Sequence, residues 1–499
     1  MTAIPDDTKR AVIPRWLDYA TACALKMSHS INTRISPSLN IDKSSSEKHA
    51  HVIDKWRTEP TLINAVDLVS ESIIFKEYDS KDAQDAAKYI LTNSPAMYST
   101  QKDLAQYLLQ ATESPLQQNN TAINPALNGN NLKIIRQGLS IYPTNALAWS
   151  DLSIMYAGSG NIKKAKRAAT VALALGGNNR LILRNSAHCY LHFKEPDRAV
   201  DLLRKSAIGI IDPWIIAAEM AISESAGFKS RLVRTARAIV VDDNLTRFSR
   251  SELAAQLGTL EYKNASTRHA KRLMKFSIED GTENALAQVQ WFAKDARVEI
   301  ERSTTPILAP FEAEFWRLYY SRNYVQALEA AKLWSRFQPL SINPMLNVSA
   351  LACTQLNYHR EFLEFVDQAL PIVRQDPVIK NDYAVSLLEL GLVAQAKQVL
   401  EGINVSLLDP KEKYVHVATL GLMAFKLQQY SVGGQFYRSS IDGFERLNDK
   451  IYAAIAAFYW AREEQRIKSE NAATLVKDAK QRMEHIGLNV LLDLLKQLN

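Results

Sequence analysis

Two histidines and a cysteine come closest, by residue type and spacing, to a chemical site. His188 and His192 are four positions apart, which places them on one face of a helix, and Cys189 adjoins His188. Two histidines at this spacing can share a zinc ion, but no glutamate lies between them and a third ligand would have to come from another helix. We therefore predict groove or surface histidines and no metal site.

Catalytic motifs are absent from the sequence. It contains no GxxxxGK[ST] phosphate loop, no GxGxxG dinucleotide motif, no GxSxG nucleophile elbow and no HExxH zinc motif. The carboxylate pairs Asp242–Asp243 and Glu463–Glu464 are neighbours in sequence, so their side chains point in different directions on a helix. We predict a protein that is not an enzyme and needs no cofactor.

Basic side chains form two helical stripes, which we call the basic patch. Between Lys229 and Lys275 there are eleven Lys and Arg against four Asp and Glu, and the difference equals the net charge of the whole chain, +7. Such a patch can meet phosphates or an acidic partner, or it can be a solvated outer face. No aromatic residues are interleaved for base stacking. The patch consists of Arg231, Arg234, Arg237, Arg268, Lys271, Arg272 and Lys275.

Salt dependence distinguishes these alternatives for the basic patch. If it binds nucleic acid, affinity should fall steeply between low and physiological salt, because bound counterions are released from the phosphates. A flat salt dependence would remove the nucleic-acid interpretation.

The composition favours a helical protein in a reducing compartment. Of 499 residues, 47% are hydrophobic, whereas Gly and Pro number only 17 each; average usage would give about 35 and about 25. The three cysteines, Cys23, Cys189 and Cys353, are far apart, so we expect them to be small core residues. The N-terminus shows no apolar stretch after a basic start, and no run of about 20 apolar residues occurs. We expect a soluble, cytoplasmic protein without a membrane partner.

The order of large and small residues in Ala146–Asn179 is the strongest pattern in the chain. Trp149, Leu152 and Tyr156 recur at helical spacing, and a Gly-containing turn separates them from Ala165, Ala169 and Ala172. This order resembles the tetratricopeptide repeat (TPR), W-x2-L-G-x2-Y followed by A-x3-F and P. The resemblance implies an all-α, right-handed α-solenoid of helix pairs that binds other proteins.

The pattern recurs over roughly residues 132–464. A second repeat, Arg180–Pro213, begins 34 residues after Ala146, which is the period of the superfamily. Residues 1–111 are predicted to be a divergent N-terminal helical region, 112–131 a linker or surface loop, and 132–499 the solenoid with C-terminal capping helices. Pro14–Met27 is predicted to be a short amphipathic helix. Further repeats are assigned to Ser251–Asn284, Leu308–Ser341, Pro377–Asp409 and Tyr414–Leu447, with a final helix pair over Asp449–Met483 and a cap over Leu488–Leu498.

The resemblance also implies which residues face a partner groove. In the superfamily, fixed positions on the first helix of each repeat line it. Trp316, Tyr319 and Tyr320 are the best predicted anchors, since rigid aromatics bury much area; alternatively they pack against an adjacent helix. If Trp316 is an anchor, Trp316→Ala should weaken partner binding and leave thermal unfolding nearly unchanged. The other predicted groove residues are Arg184, His188, His192, Glu312, Asn381 and Glu389.

One subclass of the superfamily grips a C-terminal carboxylate through Lys and Asn at set groove positions. The corresponding positions here hold Ser150 and Ile154, then Arg184 and His188, so that clamp is not supported.

Three functions are compatible with these patterns. The leading one is a non-enzymatic scaffold or regulatory subunit that captures a partner protein or peptide. The first alternative is a nucleic-acid-associated accessory protein that uses the basic patch. The second is a sensor or inhibitor of a partner enzyme or toxin, as in bacterial signalling or defence operons. Whether the groove is open or filled by the chain's own N-terminal segment is left undecided by the sequence, as is the oligomeric state.

Overall fold

The computed structural model describes an all-α chain that divides into two compact units. The N-terminal unit is Lys9–Ala313, and the C-terminal unit contains Glu314–Asn499. Every regular element among the described residues is helical, so the predicted fold class is confirmed. The domain boundaries predicted at residues 111 and 131 stay a prediction. The described residues are 10–17, 51–75, 80–93, 129–141, 143–301 and 307–487, with residues 22, 102, 105, 108, 109, 493 and 494.

Helix pairs make up the N-terminal unit. Residues 51–58 are helical and, with the next two helices, enclose a small core around Trp56, Leu68 and Ile90. Among the helices that follow, the eight from Ala146 to Ile278 alternate as first and second members of a pair. In order, the helices that follow are α1 (Leu62–Phe75), α2 (Lys81–Asn93), α3 (Gly129–Ile141), α4 (Ala146–Gly158), α5 (Ile162–Gly176), α6 (Arg180–His192), α7 (Pro196–Lys205), α8 (Pro213–Ser225), α9 (Val233–Val240), α10 (Arg247–Lys263), α11 (Thr267–Ile278) and α12 (Glu283–Asp295).

The C-terminal unit continues the same alternation, and the unit boundary falls within α13. A π-helical segment, Ala350–Gln355, extends α15. The helices are α13 (Phe311–Tyr320), α14 (Tyr324–Phe337), α15 (Ile342–Ser349), α16 (His359–Asp367), α17 (Pro371–Arg374), α18 (Pro377–Glu389), α19 (Val393–Glu401), α20 (Pro410–Lys426), α21 (Tyr430–Arg446), α22 (Lys450–Arg466) and α23 (Ala472–Ile486).

Local sequence fixes where many of these helices begin. The side chains of Asn145, Asn161 and Asn179 accept backbone N–H bonds at the starts of α4, α5 and α6. Asp212 does the same for α8, where Pro213 occupies a first-turn position that needs no N–H. The caps of α4 and α6 are 34 residues apart and those of α6 and α8 are 33 apart, close to the period that the apolar pattern predicted.

Small residues lie where neighbouring helices cross closely. Ala165, Ala169 and Ala172 are buried where α5 packs against its partner helices. In α20 and α21, a Cβ atom built on Gly421 would lie 3.2 Å from the Gly433 carbonyl oxygen. Close crossing at small residues beside large ones is the TPR arrangement. The helix pairs and these crossings confirm the TPR-like resemblance at the level of the fold.

Three segments predicted outside the repeats have different outcomes in the structure. Pro14–Leu17, predicted to begin a helix, are not helical, so that prediction is wrong there; the reason is given below. Helix α3 begins at Gly129, inside the predicted linker, whereas residues 111–128 lie outside the described residues. The cap predicted over Leu488–Leu498 falls mostly outside them as well, with Asp493 and Leu494 helical.

Replacing Gly433 by alanine tests the closest crossing. Its Cβ would lie 2.5 Å from a Phe425 ring carbon and 3.1 Å from the Gly421 carbonyl oxygen, so the helices must separate. Such overpacking costs about 1–3 kcal/mol, which outweighs the roughly 1 kcal/mol that alanine gains over glycine within a helix. We expect Gly433→Ala to lower the denaturation midpoint of the C-terminal unit.

The neighbouring Gly434 provides the matched control. A Cβ there would be 3.4 Å from Trp460, an ordinary contact, so Gly434→Ala should be neutral or stabilising. Equal midpoints for the two variants would contradict a close crossing at Gly433.

Candidate functional site

Buried polar side chains are concentrated on the first helices of the N-terminal unit. On α10 Glu252 and Gln256 lie one turn apart, and on α12 so do Asn284 and Gln288, so the members of each pair share one helix face. Because a buried polar group costs free energy unless it is hydrogen-bonded, such a face requires polar partners. We call this surface the first-helix face; its polar residues are Asn185 on α6, Glu252 and Gln256 on α10, Glu283, Asn284 and Gln288 on α12, and Glu312 on α13.

Residues 10–17 of the same chain cover this face. We call them the N-segment, with the sequence RAVIPRWL. They form neither helix nor strand, and Val12, Pro14 and Trp16 are buried whereas the residues between them are partly exposed. The segment runs from α12 and α13 at Arg10 to α6 at Leu17, opposite to the order of the repeats. The helix predicted over Pro14–Met27 is wrong at Pro14–Leu17, because these four residues are held by the repeats in a non-helical conformation.

Amide side chains hold the main chain of the N-segment. The Leu17 N–H donates to Asn185 Oδ1 at 3.1 Å, and Asn185 Nδ2 donates back to the Leu17 carbonyl at 2.7 Å. The Val12 N–H donates to Gln256 Oε1 at 3.2 Å, and Asn284 Nδ2 donates to the Ile13 carbonyl at 2.9 Å. Asparagine and glutamine can each donate and accept, so they replace the hydrogen bonds that this main chain would make with water.

Arg10 inserts its guanidinium among polar groups of α12 and α13. Its Nε and Nη2 donate to the two Glu312 carboxylate oxygens at 2.9 and 3.0 Å, which is a bidentate pair. Nη1 donates to Gln288 Oε1 at 2.7 Å, and Nη2 also donates to Asn284 Oδ1 at 2.9 Å. Both partners of the ion pair are largely buried, at 11% and 7% exposure of the side chains.

Arg15 binds two carboxylates. It makes a bidentate pair with Glu283 at 2.7 and 3.1 Å and also donates to Glu312. Burial by itself raises the pKa of Glu312, but Arg10 and Arg15 outweigh it and lower the pKa to about 2. For Glu283 burial prevails and raises the pKa despite Arg15. The two glutamates therefore form an anionic site that is neutralised by the two arginines.

A tight turn brings the two arginines together. The Ile13 N–H donates to the Ala11 carbonyl at 2.8 Å, which is the pattern of a γ-turn. This turn and the fixed backbone of Pro14 shorten the segment, so that Arg10 and Arg15 both reach Glu312 although four residues lie between them.

Apolar contacts complete the attachment. Val12 is fully buried with Ala255 and Ala285, whose small side chains admit the backbone of the segment. Ile13 packs against the core that α6, α7 and α8 share. The Trp16 ring stacks on His188 with 5.1 Å between centroids and lies 5.4 Å from the His192 ring. The segment is thus bound by its main chain, two cationic side chains and an aromatic one.

The two histidines should make this attachment pH-dependent. Burial beneath Trp16 lowers the pKa of His188 to about 3, with His192, Arg15 and Arg184 adding repulsion, and burial also lowers the pKa of His192. When the segment detaches, the histidines lose Trp16 and Arg15 and their pKa values rise toward the ordinary value of about 6.5, so protonation favours the detached state. Attachment is then complete above about pH 6.5 and weakens as the pH falls below it, by up to about 1.4 kcal/mol per pH unit for each histidine. Hydrogen-exchange protection factors of the Val12 and Leu17 amides should fall between pH 7.5 and 5.5.

Substitution of the histidines isolates their part of this dependence. His188→Gln/His192→Gln should therefore remove the loss of protection on acidification. A double variant that loses protection as the parent does would exclude the histidines as its cause.

Several predicted groove residues lie at the N-segment. His188 and His192 contact Trp16, and Glu312 binds both arginines. Arg184 is buried beside them, paired with Glu252 at 2.8 Å and lying over the Trp214 ring at 4.9 Å. Their assignment as contacts of a separate partner stays a prediction.

The remaining predicted groove residues belong to the C-terminal unit. Trp316 is 5% exposed, stacks on Tyr320 at 5.7 Å and meets Tyr319 edge-on at 5.9 Å. Asn381 is buried in α18, and Glu389 accepts hydrogen bonds from Arg462 and from Arg466. Their groove roles also stay a prediction, but the burial of Trp316 changes its expected effect on stability, which is taken up in the Discussion.

The basic patch is exposed in all seven of its residues. Arg231, Arg234 and Arg237 lie in and before α9, and the other four lie on α11. Two of them are paired, Arg237 with Glu261 at 2.7 Å and Lys275 with Glu301 at 2.6 Å. The patch presents cationic groups on second helices of their pairs.

Sequence reasoning missed the residues that hold the N-segment main chain. Asn185, Gln256, Asn284 and Gln288 were not predicted. A usable pattern existed: Glu252 with Gln256, and Asn284 with Gln288, are polar pairs four apart within apolar first helices. Such pairs indicate a buried polar face that needs an occupant.

The described ranges contain neither a candidate metal-binding cluster nor a candidate membrane-spanning helix. There, no group of three or more His, Cys, Asp or Glu side chains is placed to bind a metal ion together. No helix of that part of the chain combines the length and apolar character that a membrane crossing requires. Cys189 and Cys353 are buried free thiols, as predicted, and Cys23 lies outside the described residues.

Comparisons with known proteins show similarity at low identity. No model of a protein family matches the chain, and no curated protein matches it. Among solved structures, it is similar to the APC/C hetero-tetramer Cut9–Hcn1, with 12% identity, 96% of this chain and 98% of that chain covered, and a TM-score of 0.33. It is also similar to yeast Tom70, with 11% identity, 87% and 96% covered, and a TM-score of 0.31. Neither likeness carries an argument about function.

Proposed function

We propose that the chain is a non-enzymatic protein-interaction scaffold or regulatory subunit whose first-helix face captures a peptide segment of a partner protein. The observation that carries this proposal is the way the N-segment is bound. Asn185, Gln256 and Asn284 hydrogen-bond its main chain, and recognition of a main chain works for any segment with suitable side chains.

Preformed repeats favour such capture. The first helices are positioned by their packing against second helices, so binding a segment requires ordering of the ligand and little ordering of the protein. The face also carries two groups that select ligands by their chemistry. The anionic pair Glu283 and Glu312 selects cationic side chains, and His188 and His192 select an aromatic ring. Affinity can then come from a few side chains, while the amides fix the register.

A tagged pull-down from the native cell, read by mass spectrometry, tests this function. The variant Asn185→Ala/Gln256→Ala removes two main-chain contacts of the face without adding charge. We expect a stoichiometric protein partner to be captured by the parent chain, to survive nuclease treatment, and to be lost with this variant.

Gln395→Ala is the matched control. Gln395 is exposed on α19 of the C-terminal unit, so its loss should leave capture unchanged. A partner retained equally by all three proteins would place binding elsewhere and contradict the proposal.

Exposure of the basic patch supports a second candidate function, that of a nucleic-acid-associated accessory protein. All seven of its cationic side chains are exposed toward phosphates or an acidic partner, although Arg237 and Lys275 already pair with Glu261 and Glu301. If nucleic acid is the ligand, Arg268→Ala/Lys271→Ala/Arg272→Ala should weaken binding and make its salt dependence shallower. Co-purifying material that vanishes with nuclease would rank this function first.

A further inference from the structure

We propose that the N-segment is a removable internal ligand, and that the first-helix face takes in its place a partner peptide carrying two arginines five residues apart followed by an aromatic residue. This inference rests on the proposed function and names its ligand class and its regulation. The contacts of the bound N-segment support it.

The anionic site specifies arginine. Glu312 and Glu283 each accept a bidentate guanidinium, from Arg10 and Arg15 respectively. Lysine cannot form two parallel hydrogen bonds with one carboxylate, because its ammonium is a point charge. Gln288 and Asn284 each accept one further hydrogen bond from Arg10, so its guanidinium donates four hydrogen bonds to this site. A ligand without both arginines would leave two buried carboxylates unpaired.

The other residues of the first-helix face restrict the shape of the ligand. Ala255 and Ala285 leave room for one branched apolar side chain at the position of Val12. His188 offers a flat surface for the aromatic ring that follows the second arginine. The Asn185 amide holds the next residue by both its N–H and its carbonyl. The ligand is therefore a bent peptide with a basic, apolar, basic, aromatic order.

Because the N-segment belongs to the same chain as the first-helix face, it competes with a partner peptide for that face. Residues linked to their own binding site act at an effective concentration of about millimolar. A partner peptide binds only the fraction of molecules whose face is vacant, so its apparent dissociation constant rises by the inverse of that fraction. Weakening the internal segment should then strengthen binding of the same peptide supplied in trans.

The test uses the full chain and a fluorescent peptide with the sequence of residues 9–18, KRAVIPRWLD. We expect the Arg10→Ala/Arg15→Ala chain to bind this peptide at least tenfold more tightly than the parent chain does, in fluorescence anisotropy. A second releasing variant, Val12→Asp, places a charge against Ala255 and Ala285 and should act likewise. Circular dichroism checks that both variants keep their helix content.

Two controls test the chemistry of recognition. A peptide with both arginines replaced by lysine should bind the released chain at least tenfold more weakly than KRAVIPRWLD. The Arg57→Ala chain, which loses an exposed pair with Asp82, should bind the peptide as the parent does.

Each remaining outcome contradicts the inference. Folded releasing variants that bind the peptide no better than the parent would exclude an internal competitor, and equal binding of the lysine peptide would exclude arginine recognition. A dimer of the parent chain in light scattering that is lost in Arg10→Ala/Arg15→Ala would assign the face to the N-segment of a second copy. Partner capture that depends on Asn185 and Gln256, without binding of this peptide, would overturn the inference alone and leave the proposed function standing.

Discussion

Glu312→Ala is expected to release the N-segment from the first-helix face. The variant leaves Arg10 without its carboxylate and Arg15 with only one of two. Removing one partner of a buried ion pair costs about 3–5 kcal/mol, because the other charge stays buried and unpaired. At about 1.4 kcal/mol per factor of ten, this is a hundredfold change or more in the equilibrium. Hydrogen exchange should show protection of the Val12 and Leu17 amides falling by that factor.

An exposed glutamate provides the control for this prediction. Glu301 pairs with Lys275 at 2.6 Å, but its side chain is 81% exposed, and surface pairs contribute little. Glu301→Ala should leave the protection of the N-segment unchanged. Full protection of Val12 and Leu17 in Glu312→Ala would mean that the ion pairs do not hold the segment.

Trp316→Ala should lower the thermal stability of the C-terminal unit substantially. The ring is buried among Phe315, Tyr319 and Tyr320, with Phe315 4.7 Å away edge-on. Truncating a buried tryptophan to alanine costs about 3–5 kcal/mol through lost burial and the cavity left behind. For a unit of this size, that is a shift on the order of 10 °C in calorimetry. This differs from the sequence-based expectation of nearly unchanged unfolding.

Trp460 is a matched control within the same unit. It is only partly buried and hydrogen-bonds Glu464 at 2.9 Å. Trp460→Ala should shift the melting temperature by less than half as much. If Trp316→Ala melts like the parent while partner binding weakens, the ring is a groove anchor despite its burial.

The repeat architecture was accessible from sequence because its determinants are local. Apolar spacing placed the pairs α4–α5 and α6–α7 within a few residues of their observed bounds, and Asn caps lie where α4, α5 and α6 begin. Family positions also pointed to His188, His192 and Glu312. A position rule, however, gives the face of a helix and not what covers it, so it could not decide whether Trp316 lies at a groove or packs against an adjacent helix.

The binding of the N-segment to the first-helix face could not be predicted from sequence, for a physical reason. Pro14, Trp16 and Leu17 have the spacing of a short amphipathic helix, and nothing local favours another conformation. What overrides it is contact with residues 168 to 302 positions away, such as Asn185 and Glu312. No periodicity reports a pairing over that distance. The polar pairs on α10 and α12 indicated only that some occupant was needed.

The attachment of the N-segment also has a consequence for synthesis on the ribosome. Arg10 emerges early, but its partner Glu312 is 302 residues farther along. At about 5–20 residues per second, the segment waits roughly 15–60 s for that partner. Repeats otherwise fold against their sequence neighbours as they appear. A nascent chain therefore exposes its arginine–aromatic segment and a vacant face together until α13 has been made.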